Sequence, residues 1–313
     1  MSNKWKFFWA ASLIFVVFFQ ACGMHSWEEL IIGKDDEKKM GREFDSLIKV
    51  GDKSVMQAGE YIFTPQTPEQ TTLYDYLQAR AKSIINVISK DDLEGILPSS
   101  SVCGSNGKQK CTKDNFFEFK IISSKTKNAF AVPGGYIYFY TEILKDFQTE
   151  SELSSVLGHE IGHVVLHHSR DRMVKSAGAS AIISVFLGDG IAGLIGLLGA
   201  NFWLTKNGQE DESASDAIAF VYTDKIGISS KGLGDFFGRA LKTYNKVDET
   251  CDLKEEGSWT DVFSTHPPSC KRVMDNNERI AKAKSGQTLT SHPRDVNYVN
   301  GKSYKQLVDE AKL

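Results

Sequence analysis

Residues 149–168 of the chain read TESELSSVLGHEIGHVVLHH. Thr149 and Glu152 have the spacing of a capping box, in which two side chains satisfy the free amides at a helix start. Apolar residues follow at helical intervals and predict a helix over about residues 150–168: Leu153, Val156, Leu157, Ile161, Val164 and Val165. Because residues four apart share a helix face, His159 and His163 can direct both imidazoles at one metal ion.

Glu160 lies between these histidines in the sequence His159-Glu160-Ile161-Gly162-His163. It is rotated by about 100° from His159 around the helix, which leaves its carboxylate free to accept a proton from a metal-bound water. The pattern indicates hydrolysis at a zinc ion, with Glu160 as the base. The alternative is that two surface histidines and a glutamate have this spacing by chance. Such a pattern is expected in roughly one chain in a hundred of this length and composition.

A catalytic zinc site needs a third protein ligand and an open position for water. His167 would lie about 12 Å along an unbroken helix from His159, too far to bind the same ion, and is expected on the outer face. A second helix is predicted around Glu212 and Asp216, which lie four residues apart and therefore share one face. We expect Glu212 to bind the metal and Asp216 to accept the second N–H of a histidine ligand.

The alternative for this second segment is an acidic helix start, stabilised by the helix dipole. It explains Glu210 and Asp211 but not Asp216, which lies a full turn further along.

Composition limits the function classes. The chain has 313 residues, 41% hydrophobic and 25% charged, as in an ordinary globular protein of one large or two modest domains. The 37 Lys and Arg residues do not exceed the 40 Asp and Glu residues, and the net charge is -3. No nucleic acid partner is expected, because a basic excess is what grips a phosphate backbone.

The first residues have the organisation of an export signal. Lys4 and Lys6 precede an uncharged apolar run over 7–19, and Ala21 stands directly before Cys22. We expect residues 1–21 to be a lipoprotein-type signal peptide and Cys22 to carry the lipid. An uncleaved anchor helix is the alternative, although the run is shorter than the ~20 residues that span a bilayer. Both interpretations export the rest of the chain.

Four cysteines remain in that exported part. The shortest loops result if Cys103 pairs with Cys111 and Cys251 pairs with Cys270, and we expect these two disulfides, with free thiols as the alternative. Residues 177–205 contain a single charge, Asp189. Six glycines in this segment favour a short helical hairpin, 180–187 and 191–204, over a membrane span, which stays the alternative.

Taken together, His159-Glu160-x-x-His163 and Glu212-x-x-x-Asp216 resemble the HtpX and CAAX-prenyl-protease family of zinc metallopeptidases, within the gluzincins. The stretch 128–136 (NAFAVPGGY) and Thr265-His266-Pro267-Pro268 with Arg272 are similar to its exported lipoprotein branch. The resemblance covers about residues 115–280. The chain departs from the family's pattern at Ser215, where alanine is usual, and in its cysteine-bearing inserts.

This resemblance implies an α+β fold: a helix-dominated zincin domain with a small β-sheet over the active-site helix. We expect a signal peptide (1–21), an N-terminal helical segment (22–72), the metallopeptidase domain (73–285, active-site core 115–280) and a C-terminal tail (286–313). The expected cofactor is one Zn²⁺ per chain, bound by His159, His163 and Glu212.

Among the candidate site residues, His266 is the one whose role the sequence constrains least. Pro267 and Pro268 stiffen its loop, and the resemblance implies a position close to the zinc. His266 would then either donate a hydrogen bond to the developing oxyanion or occupy the fourth coordination position in a latent state. A solvated loop histidine is the alternative.

The expected activity is zinc-dependent endopeptidase cleavage of unfolded or misfolded polypeptides, whose main chain would pair with a strand formed by Asn128, Ala129, Phe130, Ala131 and Val132. The resemblance implies protein quality control in the bacterial envelope, on a lipid-anchored protein at the periplasmic face, with the outer membrane favoured over the inner. The rival is an envelope chaperone or assembly factor with the protease fold and little or latent activity. A structural zinc site is disfavoured, since such sites normally carry four Cys or His ligands.

Overall fold

The computed structural model describes residues 27–104, 108–178, 207–245, 266, 269–286 and 301–313. The helices are α1 (Trp27–Ile31), α2 (Lys34–Lys49), α3 (Pro68–Asn86), α4 (Lys90–Ile96), α5 (Lys113–Phe116), α6 (Thr141–Asp146), α7 (Glu150–Val165), α8 (His168–Ala177), α9 (Gln209–Lys225), α10 (Gly232–Asn245), α11 (Cys270–Gly286) and α12 (Tyr304–Ala311). The strands are β1 (Tyr61–Ile62), β2 (Val102–Cys103), β3 (Gln109–Lys110), β4 (Glu118–Ser123), β5 (Ala129–Val132) and β6 (Tyr136–Tyr140). Helices dominate, and the expected α+β class is confirmed.

Four strands form one sheet in the order β1-β4-β6-β5. β4 runs parallel to β6, whereas β1 and β5 are antiparallel to their neighbours. β5 therefore lies at an edge of the sheet. The short pair β2–β3 is separate and contains the predicted Cys103–Cys111 disulfide, which is confirmed.

The two faces of the sheet have different partners, because successive strand residues point to opposite sides. Ala129, Ala131, Ile137 and Phe139 belong to the larger core, which includes the apolar residues of α7. Phe130, Val132, Tyr136 and Tyr138 belong to a second core with Met40 and Phe44 of α2. The sheet thus separates the N-terminal helix α2 from the central helix α7.

All residues of α7 are buried. Thr149 caps its start by accepting a hydrogen bond from the Glu152 amide at 3.2 Å. The expected capping box is incomplete, since the Glu152 carboxylate accepts from the amide of Gln148 instead, at 2.7 Å. The helix ends at Val165, short of the predicted 168, because His167 adopts the left-handed conformation with φ 57° and breaks the helical path.

Helix α2 is fastened to the turn between β5 and β6. The buried Lys38 Nζ donates to the carbonyls of Phe116 and Gly134, both at 2.8 Å. Gly41 permits the approach, since a Cβ there would lie 2.2 Å from the Pro133 carbonyl oxygen. Gly134 has φ 78°, and a Cβ there would lie 2.6 Å from the Glu37 carbonyl oxygen. The position of the edge strand therefore depends on α2.

β4 begins at Glu118, shortly after the helical turn Lys113–Phe116, whose N-cap residue is Thr112.

Several predictions fall on residues outside the described ranges, among them the signal peptide, Cys22, Cys251 and the hairpin helices 180–187 and 191–204. Cys270 is disulfide-bonded. Within the described ranges, each helix is too short or too polar to cross a bilayer.

Candidate metal centre

Helix α7 presents both predicted histidines to one point. His159 and His163 are 1% and 3% exposed, and their Nε2 atoms lie 2.9 Å apart. Glu160 is fully buried beside them. The four-residue spacing on a regular helix therefore produces the convergence that the sequence predicts.

Helix α9 brings the carboxylates to this point. Glu212 Oε1 lies 3.3 Å from His163 Nε2, and Glu212 Oε2 lies 3.4 Å from His159 Nε2. The two helices approach closely at Gly162, where a Cβ would lie 3.1 Å from the Ser215 Cα. The glycine inside His-Glu-Ile-Gly-His therefore helps to bring the Glu212 helix within reach of the histidines.

His266 completes a group of four. It is 8% exposed, and its Nδ1 lies 2.8 Å from Glu212 Oε1 and 3.1 Å from His159 Nε2. Ligand atoms of His159, His163, Glu212 and His266 all lie within 4.8 Å of one another. The alternative of a solvated loop histidine is not what the structure shows. Pro267 and Pro268, on which the stiff-loop argument rests, lie outside the described residues.

This group fits a divalent metal ion. Ligands at 2.0–2.1 Å from a tetrahedral zinc are about 3.3–3.4 Å apart, and the separations here are close to that value. Neither oxygen of Glu160 has a hydrogen-bond partner among the described residues, although both are buried. An unsatisfied buried carboxylate is costly unless a charge or a water is provided for it. Imidazole and carboxylate are also ligands that zinc accepts.

Asp216 has the predicted contact with a histidine ligand. Its Oδ1 lies 2.8 Å from His159 Nδ1, the nitrogen directed away from the cluster. Burial disfavours the charged imidazole, but the carboxylates of Glu212 and Asp216 outweigh it and raise the pKa of His159 to about 9. The excess of negative charge at this point favours a cation.

Arg272 of α11 is buried against both carboxylates. Its Nε and Nη2 donate to Asp216 at 2.8 and 2.6 Å, and its Nη1 lies 2.7 Å from Glu212 Oε2. Burial would raise the pKa of Asp216, but the Arg272 charge holds it below its usual range. The sequence indicates Arg272 only as part of a stretch that is similar to the family. Arg272 and Asp216 lie on separate helices, so their spacing in the sequence does not predict a contact.

Asn207 is a second contact that the sequence does not indicate. Its Nδ2 donates to Glu212 Oε1 at 3.0 Å, and its Oδ1 accepts from Arg172 at 2.6 Å. Asn207 lies two residues before α9, so it orients the Glu212 carboxylate from outside the helix.

Glu160 is directed towards His266 and a small cavity. Burial raises the pKa of Glu160, and His266 Nε2 lies 3.3 Å from its Oε1. A small cavity of about 20 Å³ lies beside these two residues and His159. Its apolar wall consists of Ile143, Val156, Leu233, Phe236 and Phe237. A carboxylate with a raised pKa beside an apolar cavity is suited to exchanging a proton with a bound molecule.

The predicted substrate strand lies next to this cavity, since Asn128 and Ala129 contribute to its wall. The Tyr140 amide donates to the Asn128 carbonyl at 3.0 Å, so the antiparallel register turns the backbone groups of Ala129 and Ala131 away from β6. The outward carbonyl of Ala131 accepts from Ser169 Oγ at 3.0 Å. The Ala131 end of β5 is therefore covered by α8, whereas the Asn128 end adjoins the cavity.

Residues 105–280 match the family model described as Peptidase family M48. The chain belongs to peptidase family M48. It is 29% identical over 169 residues to Metalloprotease LoiP of Escherichia coli strain K12 (52% of this chain, 62% of LoiP) and 30% identical over 180 residues to Metalloprotease YcaL of the same strain (53% and 63%). It is 26% identical over 187 residues to Beta-barrel assembly-enhancing protease of Yersinia pestis (56% and 37%). The match thus spans less than two thirds of these relatives. The buried cluster of this peptidase-family chain is a group that could hold a divalent metal ion.

Proposed function

We propose that this chain is a zinc-dependent endopeptidase that cleaves unfolded or misfolded polypeptides in the bacterial cell envelope. The observation that carries the proposal is the buried group of His159, His163 and Glu212 beside the hydrogen-bond-poor carboxylate of Glu160. Relatives named as metalloproteases and as a beta-barrel assembly-enhancing protease support the envelope assignment.

Zinc bound by His159, His163 and Glu212 would supply Lewis acidity toward the scissile carbonyl and lower the pKa of water. Glu160 then accepts the proton from the attacking water and transfers it to the leaving amine. Burial raises the pKa of Glu160. This reduces the difference in pKa between the carboxylate and the water and amine with which it exchanges the proton, so it suits both steps. Asp216 and Arg272 keep His159 oriented.

The substrate would lie extended along the cavity end of β5. When a substrate pairs there, main-chain hydrogen bonds to the substrate would replace the contacts that this strand edge now makes. Main-chain hydrogen bonds carry little sequence preference. Because Glu160 serves the leaving amine and also lines the cavity, we assign the cavity to the side chain that follows the scissile bond. Its five apolar residues favour an apolar side chain at that position.

His266 has a second role in this proposal. Its Nδ1 faces the other three ligand atoms, so we assign His266 to the fourth coordination position of a latent form. The same imidazole contributes to the cavity wall, so its departure would both open the metal to water and enlarge the space for the substrate. This geometry also gives the rival function a basis, since a chain that stays latent would act by binding alone.

Metal analysis and cleavage of an unfolded protein such as casein, on the wild type and Glu160→Gln, test the proposal. We expect about one zinc in each protein and a loss of cleavage of at least ~100-fold in the variant, because only proton transfer is removed. Mass spectrometry of the wild-type products should place apolar residues after the cleaved bonds. An active Glu160→Gln protein would point to another base, and full envelope function without activity would favour the chaperone.

A further inference from the structure

A second histidine contact lies behind the candidate metal centre. His163 Nδ1, the ring nitrogen directed away from the cluster, lies 2.8 Å from Nδ1 of His168. His168 is 8% exposed and is the first residue of α8. Among the described residues, no carboxylate contacts His163 Nδ1, in contrast to His159, whose Nδ1 contacts Asp216.

This contact requires the break between α7 and α8. Along an unbroken helix, a residue five positions after His163 would be rotated by about 140° away from it. The left-handed residue His167 turns the chain so that His168 returns to the side of His163. For a residue other than glycine that conformation is unfavourable, because the Cβ comes too close to the following carbonyl oxygen. The structure secures it through a bond of 2.7 Å between His167 Nδ1 and the buried Glu37 of α2.

The directions of the nitrogens fix the proton positions. His163 can offer the lone pair of Nε2 to a metal only if its proton is on Nδ1, which then donates to His168. His168 must accept through an unprotonated Nδ1, and its own proton lies on Nε2. That nitrogen faces Asp211 Oδ1 at 3.7 Å, where the charge is complementary. Ser215 Oγ lies 3.2 Å from the same His168 Nδ1, which is a longer contact than the 2.8 Å to His163; because this nitrogen has one lone pair, we assign its hydrogen bond to the nearer His163.

We propose that His168 is a positioning residue of the metal centre, which accepts the Nδ1 proton of His163 and thereby holds His163 in the tautomer and orientation that bind the metal. The proposal rests on the proposed function through the assignment of His163 as a ligand. His168 touches neither the substrate nor the metal.

The test compares His168→Leu and His168→Gln in the full chain, with zinc affinity measured by competition with a chelator. Leucine has a similar size but no acceptor, whereas the glutamine amide oxygen can accept from His163. We expect leucine to weaken zinc binding by ~10–100-fold and glutamine to restore most of it. Thermal unfolding of the metal-depleted proteins shows whether each variant folds. Equal affinity in the two folded variants, or a leucine variant that binds like wild type, would overturn the proposal.

A measurement on the wild type covers the case in which a variant does not fold. In the zinc-loaded, ¹⁵N-histidine-labelled protein, His168 should show an unprotonated Nδ1 and a protonated Nε2. A protonated Nδ1 on His168 would contradict the proposal. His163→Ala separates this proposal from the assignment of the metal centre. If wild type and His163→Ala bind zinc equally, the assignment of the metal centre is wrong. If His163→Ala loses zinc and His168→Leu does not, only the proposal for His168 is wrong.

Discussion

Among the acidic residues at the start of α9, burial singles out the ligand. Glu212 is 3% exposed and contacts both histidines, whereas Asp211 lies at the half-buried side of the same turn. We expect Glu212→Ala to lower zinc affinity by at least ~10-fold, because a ligand is removed, and Asp211→Ala to retain most of it. Chelator competition on both variants measures this, and equal loss would refute the ligand assignment.

For His266 the geometry decides between two opposite expectations. An imidazole nitrogen 2.8 Å from Glu212 and 3.1 Å from His159 lies among the ligand atoms, which favours the latent fourth ligand. We therefore expect His266→Ala to keep zinc and to raise the basal cleavage of casein. A fall in kcat of ~10²–10³ with zinc retained would instead identify His266 as the donor to the oxyanion.

The residues that the sequence predicted are those whose relation follows from helix periodicity. His159 with His163, and Glu212 with Asp216, each lie on one helix, so spacing alone places them together. Arg272 and His168 could not be found in this way. Arg272 reaches Asp216 from a separate helix, and His168 reaches His163 only because His167 leaves the helical conformation. The local sequence pattern is that of a regular helix and does not indicate this break.

Among the elements, α2 makes a contact whose contribution to stability depends on pH. The unfolded chain has Lys38 at its ordinary pKa of about 10.4. Burial in the folded protein lowers the pKa of Lys38 to about 7. Between these values the unfolded chain holds more protons, so the free energy of unfolding increases with pH, by up to ~1.4 kcal/mol per unit. The element lies in the expected N-terminal helical segment, but its attachment to Gly134 was not predicted, because that contact joins residues 96 positions apart.

We expect Lys38→Met to lose this pH dependence. Denaturant unfolding between pH 7 and 9.5 should show wild type gaining stability relative to the variant as the pH rises, since the other titrating groups are common to both proteins. Lys39→Met is the matched control, because the neighbouring Lys39 is exposed. Parallel pH profiles for wild type and Lys38→Met would show that Lys38 keeps its proton through two strong carbonyl contacts.

Across the whole molecule, the N-terminal segment connects the expected anchor to the site. Four residues lie between Cys22 and Trp27, the first residue of α1, and the five Cα-to-Cα steps between them span at most about 18 Å when fully extended. A lipid on Cys22 would therefore hold the body of the protein close to the membrane surface. From there α2 reaches the β5–β6 turn through Lys38 and the end of α7 through Glu37 and His167.

The last prediction concerns that anchor. In cells, Cys22→Ser should leave an unprocessed precursor or release the body of the protein from membranes, because a lipoprotein signal needs the cysteine for both cleavage and lipid attachment. Met24→Ser, two residues further along, should leave both intact. Fractionation with immunoblotting, and mass spectrometry of the N-terminus, distinguish precursor, lipidated and soluble forms. If Cys22→Ser is cleaved and yet stays with the membranes, the apolar segment 177–205 becomes the anchor and the lipid assignment is wrong.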